Sequence, residues 1–208
     1  MKFLTHHIQN LRENWETSGL GWQVRRTAGA FVILVFIAFA ACRLFPQVED
    51  RIIDFILEVY AAADVYTEDG GLSAGALFLA NLNACSLAVM YGLMPFAQYP
   101  ALVLGVNAMI LGVMASNYLT RGLSVVLYLA ALIPHGIFEF PALVIGIGCG
   151  LFLCRSITDR VFGKKGLPPF SSCILRIAQA FLFLVTPLLA LAAVAESYLT
   201  PWVITLFS

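Results

Sequence analysis

The chain has 208 residues and no net formal charge, and 61% of its residues are hydrophobic whereas only 12% are charged. Soluble domains carry roughly 25% charged residues, so this sequence cannot cover a water-facing surface of its size. The mean hydropathy of +0.89 therefore argues against a soluble enzyme, and the basic residues lack the interleaved aromatics of a nucleic-acid-binding surface. We expect one all-α integral membrane domain whose surroundings are lipid.

The first 25 residues are predicted to be a cytoplasmic amphipathic segment. Apolar residues recur there at spacings of three and four, which predicts a helix over 3–20 lying on the membrane surface. The first spanning helix is predicted over 27–45. Arg25 and Arg26 come directly before it, and basic residues favour the cytoplasmic side.

Residues 47–70 are acidic and are predicted to form an external helix and loop. Apolar residues such as Ile52 lie on one face of a helix over 48–64, and acidic residues such as Glu49 and Asp54 lie mostly opposite. That pattern is typical of an amphipathic helix in the membrane interface.

Further apolar runs predict spans over 72–94, 101–119, 137–154 and 174–200, with a cytoplasmic basic loop at 155–173. Five crossings from a cytoplasmic N-terminus leave the C-terminus external. The expected location is the cytoplasmic membrane of a bacterium or archaeon.

Residues 122–136 are predicted to be a re-entrant or broken helix. The piece over 122–133 would be about 18 Å long at 1.5 Å per residue, which is too short for a hydrocarbon core of about 30 Å. Pro134, His135 and Gly136 interrupt the apolar run directly after it. Six full crossings are the alternative, but they would place the basic loop on the external side.

Ionisable side chains at membrane depth are costly, so His135, Glu139 and Glu196 are the first candidates for function. They are compatible with a divalent transition-metal site, because imidazole and carboxylates suit such ions. They are equally compatible with a path for protons or ions. The simplest interpretation is a hydrogen-bonded cluster that fixes the re-entrant turn against the last helix. Asn83 and Asn107 are expected to form hydrogen bonds between helices.

Motifs of soluble catalysis are absent from the sequence. There is no G-x-S-x-G, no P-loop and no H-E-x-x-H, so we expect no enzymatic activity and no resident cofactor. A metal-dependent membrane enzyme is the less favoured alternative. The five cysteines form no C-x-x-C pair and are expected to be small buried hydrophobes.

Two segments resemble the stage II sporulation protein M family, and the resemblance covers roughly residues 25–205. They are the P-H-G-x-x-E motif within 132–142 and the E-x-x-x-T-P ending of the last helix at 196–201. The first segment is similar to the broad branch of the family that extends into organisms that do not sporulate. The resemblance implies a family-type core of five residues, namely Pro134, His135, Gly136, Glu139 and Glu196.

The resemblance implies a non-enzymatic membrane scaffold or assembly factor for envelope partners that remodel peptidoglycan. A small channel or transporter that uses the intramembrane His/Glu site is the alternative. It would be a homodimer, because five crossings leave little interior for a pore. Beyond a second copy and such envelope proteins, we expect only membrane lipid as a partner and no nucleic acid.

Overall fold

The computed structural model describes residues 19–62 and 72–206, and within these ranges the chain forms six helices and no strand. In chain order they are α1 (Leu20–Leu44), α2 (Pro46–Ala62), α3 (Ala74–Tyr91), α4 (Pro100–Thr120), α5 (Val125–Val161) and α6 (Phe170–Thr205). All except α2 are long and apolar enough to cross a membrane. The prediction of an all-α membrane helix bundle with five spans is confirmed.

Local sequence signals explain where several helices begin. The side chain of Ser73 accepts a hydrogen bond from the Ala76 N–H, and Ser124 accepts one from Leu127 in the same way. Each serine satisfies a backbone donor that the first turn of a helix leaves unpaired. Pro100 opens α4 at a position where its missing N–H costs nothing.

Helix α5 is the centre of the bundle. In its most apolar window 67% of residues are buried, against at most 33% in any other span, and it packs against all four of them. Glycines on α5 permit this close packing. A Cβ atom at Gly148 would lie 2.8 Å from the Val24 side chain, and one at Gly146 would lie 2.7 Å from the sulfur of Cys85.

Gly105 and Gly112 lie seven residues apart on α4, and they differ in what surrounds them. A Cβ atom at Gly112 would lie 2.5 Å from the carbonyl oxygen of Val35 on α1, so the two backbones meet there. Gly105 faces open space instead. Of these two glycines, Gly112 is therefore the one that permits close approach of α1 and α4.

The predicted re-entrant segment at 122–136 is wrong. Helix α5 continues without a break through Pro134 and Pro141 for 37 residues, which is about 55 Å. A proline removes one backbone hydrogen bond, and in membrane helices the packing of neighbouring helices compensates for it. The long helix is still one candidate span, which is the number that the charge pattern predicted for this stretch.

Two other predicted segments have different boundaries in the structure. The surface helix over 3–20 lies outside the described residues except at its end, where α1 already begins at Leu20. The basic loop predicted over 155–173 is shorter, because α5 continues to Val161 and α6 begins at Phe170.

Helix α2 confirms the amphipathic helix predicted at 48–64. Its residues Ile52, Ile53 and Ile56 pack against Cys42 of α1 and Val113 of α4 in a small separate core. This contact holds α2 against the bundle. The expectation that the helix lies in the membrane interface stays a prediction.

Glu49 lies on the packed face of α2 rather than among the solvent-facing acids, which corrects the predicted pattern. Its side chain is only 2% exposed. The carboxylate accepts hydrogen bonds from Ser116 Oγ at 2.6 Å, Asn117 Nδ2 at 3.1 Å and Thr120 Oγ1 at 3.4 Å. Buried charges need such partners, and the end of α4 supplies them.

Basic residues from two distant parts of the sequence meet at one end of the bundle. The guanidinium of Arg26 lies 4.5 Å from the centre of the Trp22 ring, and that of Arg155 lies 4.9 Å from it. Both distances fit cation–π interactions. The start of α1 and the end of α5 therefore share one face of the protein.

All five cysteines are free and buried, as predicted. Three of them sit in the interior of the main core, where they pack as small hydrophobic side chains. These are Cys85, Cys149 and Cys173.

Candidate intramembrane cation site

His135 and Glu139 lie one turn apart on the same face of α5. The imidazole Nε2 is 3.9 Å from Oε2 of Glu139. Residues four apart on an α-helix are neighbours on its surface, so the pairing depends on the helix continuing past Pro134. The two side chains are mostly buried, at 14% and 16% exposure.

Glu196 reaches the same place from α6, where the helix widens. Residues Ala195–Leu199 form a π turn, in which the N–H of Thr200 bonds to the carbonyl of Ala195 five residues back. Pro201 lies two residues beyond this turn, and its ring would crowd the carbonyl four residues before it in a regular α-helix. The wider turn relieves that crowding. Single π turns of this kind are frequent at functional sites.

The three ionisable groups converge. One ligand atom each from His135, Glu139 and Glu196 can be chosen so that all lie within 4.8 Å of one another. The sequence separates Glu139 and Glu196 by 57 positions, and the packing of α6 against α5 brings them together. A metal site, a path for protons or ions and a hydrogen-bonded cluster each require these three side chains to meet, and they do meet.

Thr200 orients the imidazole. Its Oγ1 lies 3.3 Å from Nδ1 of His135, and the residue is only 7% exposed. A neutral imidazole protonated on Nδ1 donates this hydrogen bond and leaves the Nε2 lone pair on the side of Glu139. Hydrogen bonds of this kind fix the tautomer and the ring orientation of metal-binding histidines.

A cavity of about 300 Å³ reaches the cluster. One water needs only roughly 10–15 Å³ of such space, so the cavity has room for several waters or a hydrated ion. The Asn81 side chain lies against the Glu139 carboxylate inside it. Its polar lining consists of Asn81, Asn107, Tyr118, Tyr128, His135, Glu139 and Glu196, and no described Lys or Arg lines it.

Gly136 has a steric role. It lies within the regular helix, and its φ is not among the positive values found elsewhere in the described chain. A Cβ atom there would lie 2.7 Å from the Phe140 ring. The missing side chain therefore makes room for Phe140, which also lines the cavity. Pro134 precedes His135 within α5 and is not among the residues that line the cavity.

The two asparagines predicted to bond between helices do not do so in the described part of the chain. Asn83 is exposed on the outside of α3. Asn107 lines the cavity, but its Nδ2 donates to the carbonyl of Val103 in its own helix at 2.9 Å. Asn81, two residues before Asn83, is the α3 asparagine that faces the site.

Sequence reasoning missed two polar contributors. Thr200 follows Glu196 by four residues, and that spacing could have indicated that it shares a face with the glutamate. Tyr128 donates from its hydroxyl to the carbonyl of Leu111 at 3.1 Å and packs edge-on against Tyr118. No pattern in the sequence pointed to Tyr128.

The fold and the site together define a polytopic all-α integral membrane protein with an ionisable cluster inside its bundle. The sequence model of stage II sporulation protein M matches residues 27–201, which is most of the chain. The chain belongs to this family. Comparison with curated proteins finds no significant match. Comparison with solved structures finds none either.

Proposed function

We propose that this protein is a small cation channel or transporter in which His135, Glu139 and Glu196 form the ion-binding site. The observation that carries the proposal is the cavity of about 300 Å³ that reaches all three side chains. The imidazole and both carboxylates line this space together, so a small ion that enters it can reach all three side chains.

Electrostatics supports the same conclusion. Two carboxylates close together in a low-dielectric interior repel each other and lose hydration. Among the cavity-lining residues only His135 could offset that charge. Protons or a bound cation would supply the missing positive charge. The site is thus suited to exchanging one cation for another, which is the elementary step of transport.

We further propose that the protein lies in a bacterial or archaeal cytoplasmic membrane with its N-terminus cytoplasmic and its C-terminus external. The meeting of Arg26 and Arg155 at Trp22 supports this orientation, since it gathers basic residues at one end of the bundle. A homodimer is part of the proposal, because the four spans that pack around α5 leave little interior for a pore in one copy.

Reconstitution into liposomes tests the transport proposal. Fluorescent indicators inside the vesicles report the entry of protons or of divalent cations. The double variant E139Q/E196Q should reduce flux to the level of protein-free vesicles. The matched control is Glu58→Gln, which removes an exposed carboxylate from α2 and should leave flux unchanged. Wild-type vesicles that pass neither protons nor divalent cations would refute transport.

A second candidate function is the membrane scaffold for peptidoglycan-remodelling partners. One observation favours it, namely that α2 is held firmly to the bundle while Asp54 and Glu58 stay exposed and available to a partner. Neither candidate function involves catalysis. Charge reversal of Asp54 and Glu58 to lysine should abolish co-purification of peptidoglycan hydrolases from native membranes. His135→Ala should leave the association with the hydrolases intact, provided that the variant protein is present in the membrane.

A further inference from the structure

We infer that the His135–Glu139–Glu196 cluster binds one divalent transition-metal ion, with Zn²⁺, Mn²⁺ and Fe²⁺ as the class of ligand. The inference deepens the proposed function, because it names the cation that the same site would take. It depends on the donor set, the charge of the cavity and the orientation of the histidine.

The donor set selects the type of metal. Imidazole nitrogen suits transition metals, whereas sites for Mg²⁺ and Ca²⁺ use oxygen ligands alone. One imidazole with two carboxylates combines both preferences and is typical of Zn²⁺, Mn²⁺ or Fe²⁺. The absence of cysteine from the cavity lining disfavours Cu⁺, which prefers sulfur ligands.

The charge of the side chains that line the cavity favours a divalent ion. Glu139 and Glu196 contribute two negative charges when ionised, and no described Lys or Arg side chain lines the cavity to balance them. A neutral His135 adds no charge. A divalent ion therefore gives a neutral site, whereas a monovalent ion leaves one charge uncompensated at a depth where charge is costly.

The geometry is close to that of a metal site. Tetrahedral ligands about 2.05 Å from an ion are roughly 3.3–3.4 Å from each other. Nε2 of His135 and Oε2 of Glu139 are already 3.9 Å apart, and the whole set lies within 4.8 Å. Rotation of the two flexible glutamate side chains can close the remaining gaps, which are at most about 1.4 Å. The fourth position then opens on the cavity, where water or the Asn81 oxygen can fill it.

Thr200 is the positioning residue of this site. When Nδ1 of His135 donates to the Thr200 hydroxyl, the Nε2 lone pair is free to bind the ion beside Glu139. Loss of such an outer partner typically weakens metal binding by about 10–100-fold without removing a ligand. Thr200→Val should therefore weaken binding by about that factor while the protein stays folded.

The experiment titrates Co²⁺ and Zn²⁺ into the purified full-length protein in detergent. Co²⁺ absorption reports the ligand field, and elemental analysis after gel filtration reports the stoichiometry of Zn²⁺. We expect one ion per chain in the wild-type protein. Glu139→Gln and Glu196→Gln should each weaken binding by more than the roughly 100-fold expected for an outer partner. Glu58→Gln should bind as the wild-type protein does.

Gel filtration and the unfolding midpoint of each variant identify any that fail to fold. The wild-type titration alone remains decisive in that case. Failure of wild-type protein to bind either ion would overturn the inference, and so would equal binding by a folded E139Q/E196Q variant. Binding of one ion together with loss of binding in folded variants would establish it.

The two proposals fail in different ways. A protein that passes protons in liposomes but binds neither Co²⁺ nor Zn²⁺ would keep the transport function and lose the metal. A protein that binds one ion per chain but moves no cation across liposomes would keep the metal site and lose transport.

Discussion

The buried carboxylate of Glu49 gives the sharpest stability prediction. It accepts three hydrogen bonds from the end of α4 and is 2% exposed, although sequence reasoning assigned it to the solvent-facing side of α2. Glu49→Ala removes the acceptor and leaves the Ser116 hydroxyl, which is itself fully buried, without its partner. The substitution should therefore weaken the attachment of α2 to the bundle.

The magnitude follows from the hydrogen bonds. A bond to a charged group contributes about 1.5–3 kcal/mol, and such contributions are not additive. The bonds from Ser116 and Asn117 are of normal length, whereas the one from Thr120 is near the limit of a hydrogen bond. We expect a loss of about 3–4 kcal/mol for Glu49→Ala and about 1–2 kcal/mol for Glu49→Gln, which keeps one acceptor oxygen.

The assay is equilibrium unfolding in mixed micelles, with SDS as denaturant and tryptophan fluorescence as the signal. The matched control is Glu58→Gln on the exposed side of α2, which should change the free energy of unfolding by no more than about 0.5 kcal/mol. If Glu49→Ala costs no more than this control does, the assignment of Glu49 to a buried hydrogen-bonded position is wrong.

Three further predictions use matched variants or simple labelling. Gly112→Ala should cost about 1–3 kcal/mol because a Cβ atom there collides with α1, whereas Gly105→Ala places its Cβ in open space and should be neutral or stabilising by up to about 1 kcal/mol. Tyr128→Phe should cost about 0.5–1.5 kcal/mol in the same unfolding assay, since it loses the hydrogen bond to a backbone carbonyl. The control is Tyr198→Phe at an exposed position, which should have no effect. A thiol reagent should modify none of the five buried cysteines in the folded protein and all five after denaturation, and rapid labelling of the native state would contradict their burial.

The spans could be predicted because their signal is direct. Long apolar runs are needed to cross lipid, and α1, α3 and α4 lie close to their predicted ranges. The behaviour of α5 at Pro134 could not be predicted in this way. Whether a proline breaks a helix depends on what packs around it, and the four spans surrounding α5 come from distant parts of the sequence.

The candidate site could also be predicted in part, because its signal in the sequence is direct. Ionisable residues are so rare at membrane depth that His135, Glu139 and Glu196 stood out before any contact was known. The prediction that Asn83 contacts a neighbouring helix was wrong, and Asn81 is the residue that faces the site. Which side of α3 faces the bundle depends on the rotation of the helix about its axis. Periodicity gave little guidance there, since α3 is apolar on nearly every side.

The π turn at Ala195–Leu199 amounts to one surplus residue within a helix. Deleting a single residue between Glu196 and Thr200 would let the helix return to its regular winding without displacing the residues beyond it. Glu196 and Thr200 would then be three residues apart instead of four and would approach the imidazole from different directions. In this segment the length of the chain matters as well as the identity of its side chains.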